Sequence, residues 1–208
     1  MNRFGRFSLY VFLPLILLAA SSYSVFKYVN TSEDPEVVNI KVPEGFAAEH
    51  LYRPSDNQRG SWVSMCFDDK GRMIASDQYG GMYRLTIPRI GEKLDTNKIE
   101  KIMLKNDTLN FGAAHGLLYA FNSLYVMVNN RPSKNLPKTS GFYRLQDTDG
   151  DDQYDKLTLL KTLVGEGEHG PHSIKLSPDK KSLFVICGNY TDLPKMDTYR
   201  LPETWKYD

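Results

Sequence analysis

SWVSMCFDDKGRMIASD (Ser61–Asp77) returns in outline as AHGLLYAFNSLYVMVNN (Ala114–Asn130) and again as PHSIKLSPDKKSLFVICGN (Pro171–Asn189). Each copy has a polar or ring-bearing head, an apolar strand, a tight turn, and a second apolar strand ending in polar residues. Aligned on Trp62, His115 and His172, the heads are 53 and 57 residues apart. A period of that size marks stacked supersecondary units, and a unit of short antiparallel strands describes a β-propeller blade. The third strands echo one another as well: Gly81–Leu85 reads GMYRL and Gly141–Leu145 reads GFYRL. The fold class read from these repeats is all-β, an incomplete propeller of about three blades, near residues 61–103, 113–163 and 171–208.

Working outward, the first blade is predicted to hold strands at Trp62–Phe67, Met73–Ser76, Gly81–Thr86 and Ile99–Met103. The second holds Gly116–Ala120, Leu124–Val128, Gly141–Leu145 and Leu157–Leu163. The third contributes Ser173–Ser177 and Leu183–Cys187. Upstream, Val37–Val42 and Phe46–Tyr52 read as two more strands about the Pro43-Glu44-Gly45 turn, with 31–42 as linker and 43–208 as the partial propeller. The strands are nearly continuous in apolar character, as expected when neighbours cover both faces. No helical period follows residue 30. At about 50 residues per blade, the chain falls short of the four or more that closed propellers use, so it reads as the N-terminal part of a longer protein.

Residues 1–30 read as a targeting segment. Arg3 and Arg6 precede an uncharged run from Phe7 to Phe26, closed by Lys27. That is the layout of an export signal, and about 20 uncharged residues also suffice to cross a bilayer as a hydrophobic helix. The protein is therefore expected outside the cytoplasm, periplasmic if the segment is cleaved and membrane-anchored if it is not. Lys+Arg 26 against Asp+Glu 25 leaves a net charge of +1, which offers nucleic acid no electrostatic footing. The two cysteines, Cys66 and Cys187, fall inside predicted strands; buried thiols and a disulfide both suit an exported protein. Neither belongs to a CxxCH, so these residues carry no covalent haem site.

Two segments carry chemistry. Asp147–Asp155, DTDGDDQYD, packs five aspartates into nine residues. Asp147, Asp149, Asp151 and Asp155 occupy positions 1, 3, 5 and 9 of a turning loop, an arrangement that converges oxygens on calcium. Asp152 stands where such loops place glycine, and Thr158 where they place a bidentate glutamate. A solvated acidic hairpin is the alternative. The other segment, Gly165–His172, reads GEGEHGPH. His172 and His115 head the innermost strands of two blades, and His169 lies in the glycine-rich approach. Facing a channel, such imidazoles serve as general base or metal ligand; on the plainer reading they bond loop carbonyls. A rim of polar residues, Asp77-Gln78, Asn129-Asn130-Arg131 and Gly188-Asn189-Tyr190, follows the second strands. Asn30, Asn106 and Asn189 head N-x-[ST] triplets.

VPEGFAAEHLY, DTDGDDQYD and GEHGPH, set among the repeats, resemble the N-terminal half of membrane-bound dehydrogenase-like propellers, the haem-binding-domain proteins of planctomycetes, verrucomicrobia and Bacteroidetes. These are distantly similar to quinoprotein glucose and sorbosone dehydrogenases. The resemblance spans about residues 42–208 and implies an exported propeller of six blades. It implies further a downstream cytochrome c domain with haem c; a pyrroloquinoline quinone cofactor is an expectation that the resemblance does not by itself establish. Oxidation of sugars or related alcohols would then pass electrons to an acceptor such as a cytochrome. His169 and His172 sit where that family keeps its HGPH motif. A non-catalytic propeller holding a glycan or a protein partner is the other class of function open to the same residues, and a bare scaffold with its chemistry downstream is a third.

Overall fold

The computed structural model describes residues 35, 37–105, 109, 111–130, 138–165, 167 and 169–192. Residues 1–30, expected to be a targeting segment, lie outside them, and no described helix is long and apolar enough to cross a membrane. The chain divides into two units, 1–52 and 53–208. In the first, the two strands expected over 37–52 are absent and the chain turns instead. The Ile40 N–H donates to the Val37 carbonyl at 2.9 Å and the Phe46 N–H to that of Pro43 at 3.1 Å. Extended backbone needs a neighbouring strand for its N–H and C=O groups, and no described residue of this unit supplies one.

The second unit is all-β, with two short 3₁₀ turns (Pro54–Asn57 and Thr96–Lys98) and no described α-helix. Its first sheet is the meander β1 (Trp62–Phe67), β2 (Met73–Asp77), β3 (Met82–Leu85) and β4 (Glu100–Lys101). The second is β5 (Ala114–Ala120), β6 (Ser123–Val128), β7 (Gly141–Gln146) and β8 (Lys156–Thr162). The third is the hairpin β9 (Pro171–Leu176) and β10 (Leu183–Cys187). All pairings inside the sheets are antiparallel. The strand expected over 99–103 shrinks to two residues, with one further bond in the same register, from the Ile102 N–H to the Met82 carbonyl at 2.9 Å.

The turns follow from the sequence. Asp68 accepts from the Lys70 and Arg72 N–H groups while Gly71 takes φ +73°, an Asx-type turn with glycine where the left-handed region is required. Phe121 and Asn122 both have positive φ between Ala120 and Ser123, the primed turn that matches strand twist.

Sheet packing explains the apolar runs. Along β6, Leu124, Val126 and Val128 point into one core with Ile74, Met82, Leu117 and Tyr143. The alternate residues Tyr125 and Met127 enter a second core with Ile174 and Leu163. A strand buried on both faces must be apolar at every position, and all six residues of β6 are buried. The first strands lie side by side, β1 against β5 and β5 against β9. Outer faces remain apolar: Met65 is 64% exposed on β1 and Ile186 54% exposed on β10.

Candidate functional site

The ladder that starts each sheet carries the same irregularity. Residues Trp62 and Ser64 pair with Asp77 and Ser76, leaving out Val63. Ala114 and Gly116 pair with Val128 and Met127, leaving out His115. Pro171 and Ser173 pair with Cys187 and Ile186, leaving out His172. Each is a β-bulge, which inserts an unpaired residue and re-aims its side chain. The repeat heads therefore align on Val63, His115 and His172, one residue away from the alignment on Trp62. Trp62 instead stacks on Tyr83 at 5.5 Å. The recurring bulge is invisible in the apolar pattern, because it changes register without changing residue type.

The last two bulges bring their histidines together. The rings of His115 and His172 meet edge to face, 5.1 Å between centroids, and both are half-buried. Gly116 makes the approach possible: a Cβ there would run into the His172 carbonyl oxygen. Ser76 secures the neighbouring strand, its Oγ–H donating to the Ala114 carbonyl at 2.6 Å. Burial, then the neighbouring His172, pull the His115 pKa below the ordinary 6.5, so His115 is neutral at pH 7.

The hydrogen bonds assign tautomers. His172 Nδ1 faces the Pro171 carbonyl at 3.1 Å, which requires the proton on Nδ1 and leaves Nε2 as a bare acceptor. His115 Nδ1 faces the Asn129 amide nitrogen at 3.5 Å. That long contact calls for an acceptor Nδ1, which puts the proton on Nε2. One ring offers an acceptor and its neighbour a donor. Asn129, 3% exposed, also donates to the Gly167 carbonyl, while its Oδ1 is buried without a hydrogen-bond partner, packed against Gly170. A side chain at 170 would collide with that amide.

His169 stands apart from the pair. Its Nδ1–H donates to Asn189 Oδ1 at 2.8 Å, and its ring stacks on Tyr190 at 4.9 Å. The three histidines form no three-ligand metal set; among the described residues the one group that does is Asp147, Asp149 and Asp151.

At that acidic loop the expected ligands part company. Asp155 turns to Thr148, accepting from its N–H and its hydroxyl at 3.0 and 2.6 Å. Asp147 accepts from the N–H groups of Gly150 and Asp152. Lys105 places its ammonium 2.5 Å from Asp149 and 2.7 Å from Asp151, held there by its own N–H bond to the Tyr154 carbonyl. Asp147, Asp149 and Asp151 fit a hard cation in exchange for that ammonium; Asp155 does not join them. Asp152 does take the glycine-like backbone expected at its position, φ +71°. Its carboxylate ties the loop to the first sheet, bidentate to Arg72 at 2.6 and 2.7 Å and within reach of Lys70 and Arg84. Arg72 above all holds that carboxyl well below the usual range. Glu100 completes the clamp on Arg84 at 2.8 Å. This clamp went unseen in the sequence, where Arg84 was legible only as part of the GMYRL repeat.

Both thiols are free. Burial pushes Cys66 up to about 12, so it is an inert core group. Among the described residues, those that hydrogen-bond the histidine pair, Asn129 and Pro171, do so through neutral groups. A quinone bearing three carboxylates calls for cations, so these residues do not fit it. No family model matches the chain, and no curated protein is significantly similar to it.

Proposed function

We propose that the three sheets are consecutive blades of an exported β-propeller, and that the rim at His115 and His172 binds and deprotonates a hydroxyl of a sugar or related alcohol. The single observation behind this is the edge-to-face pair at 5.1 Å with opposite tautomers. On this reading a substrate hydroxyl lies against the two Nε2 atoms, its oxygen accepting from His115 Nε2–H and its proton passing to His172 Nε2. General-base catalysis of this kind contributes about 10²–10⁴-fold. Oxidation also needs a two-electron acceptor, which the described residues do not supply; the chain's own part is the proton. Adjacent first strands, recurring bulges and apolar outer faces are what a propeller asks of its blades. Export rests on Arg3, Arg6 and the apolar run after them. Calcium at Asp147, Asp149 and Asp151, displacing Lys105, would stiffen the β7–β8 loop rather than touch substrate.

The test is dye-coupled oxidation of sugars and polyols by the protein from its native gene. His172→Ala and His115→Ala should each abolish it while the melting temperature holds; unchanged turnover removes the pair from the mechanism. The neutral, quinone-unsuited surroundings favour one other reading, a glycan-binding propeller without turnover. Binding that survives with no oxidation under any acceptor would select it.

A further inference from the structure

The residues just outside the histidine pair form a second, differently built surface. Tyr190 is 61% exposed, yet it does not hang loose. Its ring is stacked on His169, 4.9 Å between centroids and 28° between planes. Its N–H donates to the His169 carbonyl at 2.9 Å. Gly188 lies so close to the same carbonyl that a Cβ could not be accommodated. Thr191 bridges to Gly165 across the loop. The His169 ring is in turn fixed by Nδ1–H donation to Asn189 Oδ1 at 2.8 Å. An aromatic held rigid while exposed has already lost its rotamer entropy and binds at lower cost.

We infer that Tyr190, His169 and Asn189 form a sugar-stacking subsite, taking the apolar C–H face of a pyranose on the tyrosine ring beside the histidine pair. The inference deepens the carbohydrate reading above and rests on it. The negative face of an aromatic ring attracts polarised C–H groups, and one pyranose face presents several. The polar edge matches hydroxyls. With its oxygen engaged by His169, Asn189 keeps two N–H donors, and with Nδ1 protonated, His169 Nε2 is an acceptor. His169 and His172 are three residues apart, so their Cα atoms are separated by at most about 11 Å. That is the span of one or two sugar rings, so the subsite and the histidine pair are close enough along the chain to serve one carbohydrate.

The experiment is saturation-transfer NMR on the full chain with methyl pyranosides of glucose, galactose and mannose, and glycerol as a polyol without a ring face. Transfer to the axial C–H protons of at least one pyranoside is expected for the wild type and for Tyr190→Phe. For Tyr190→Ala, affinity should fall about tenfold, and glycerol should show no dependence on residue 190. No transfer to any pyranoside, or equal affinity in Tyr190→Ala, overturns the subsite. His172→Ala separates the two ideas. If it loses turnover but binds the pyranoside like wild type, both stand. If Tyr190→Ala binds unchanged while His172→Ala is inactive, only the subsite fails. Binding by wild type with no oxidation under any acceptor leaves the subsite and removes the dehydrogenase.

Discussion

At one end of the β5–β8 sheet lies the loop 147–155, and at the other lie His115 and Asn129. The loop has the greater charge density and the more conspicuous sequence. Yet its carboxylates are spent: Asp152 on Arg72 and Arg84, Asp149 and Asp151 on Lys105, Asp155 on Thr148. The opposite end brings together rings and amides whose hydrogen-bonding capacity is partly unused. Asn129 Oδ1 is buried with no hydrogen-bond partner. Charge marks where the sheets are joined, and unspent polar capacity marks where a ligand can be met.

The comparison breaks first, and hardest, at the histidines. His172→Ala should cost about 10²–10⁴ in turnover with little change in melting temperature. Acid should remove turnover by protonating the base, His172 Nε2, and a rate that does not fall in acid would contradict that role. Burial and the neighbouring ring hold His115 below its ordinary 6.5, so the donor ring is neutral at pH 7.

Asp152→Ala should do the reverse, leaving the rim chemistry alone and costing about 3 kcal/mol in urea unfolding, since Arg84, only 5% exposed, loses one of its two carboxylates. Asp152→Gly should be nearly as costly, because relief of a strained φ recovers only about 1 kcal/mol. Acid should reproduce part of this effect. The Asp152 and Glu100 carboxyls are held below their ordinary values, so their contribution is whole above about pH 4 and is lost as pH falls through the lower folded values. In Asp152→Ala that acid loss should be shallower; an identical profile would clear the clamp of any role.

Gly116→Ala tests the join between the second and third sheets. The added methyl meets the His172 carbonyl, and overpacking of that kind costs about 1–3 kcal/mol. It should also lower turnover by moving His172. Stability lost with full activity would mean that the rings need no close strands. The smallest effect is expected at the acidic loop, whose groups face solvent. Calcium should raise the melting temperature slightly in wild type and more in Lys105→Ala, and Asp149→Ala should abolish the response. No calcium effect in either protein leaves the loop as a lysine-bridged hairpin.

The inner strands were legible because apolar runs bounded by Asp-Lys-Gly or Asn-Ser punctuation leave few alternatives. Trp62–Phe67 and Leu183–Cys187 fall where the pattern puts them. The strands over 37–52 were misread because apolar alternation there has no described partner in its own unit, and strand formation is a property of pairs. The rim residues Asn129, Asn189 and Tyr190 and all three histidines were visible as residue types. Their grouping was not. Asp155 has the spacing of a ligand, but a nearby hydroxyl claimed it.

Local pattern and turn chemistry in the sequence alone determined that this chain makes repeated antiparallel hairpins, with histidines at the heads of two and an acidic loop in one. Only the tertiary structure decided that a bulge recurs at all three heads and moves the first from Trp62 to Val63, that two imidazoles share an edge while the third stacks on Tyr190, and that Asp152 clamps neighbouring sheets. Periodicity is written into each strand, since neighbouring side chains dictate it. Register, tautomer and the partner of a charge depend on atoms far away in the chain, and no local pattern encodes them.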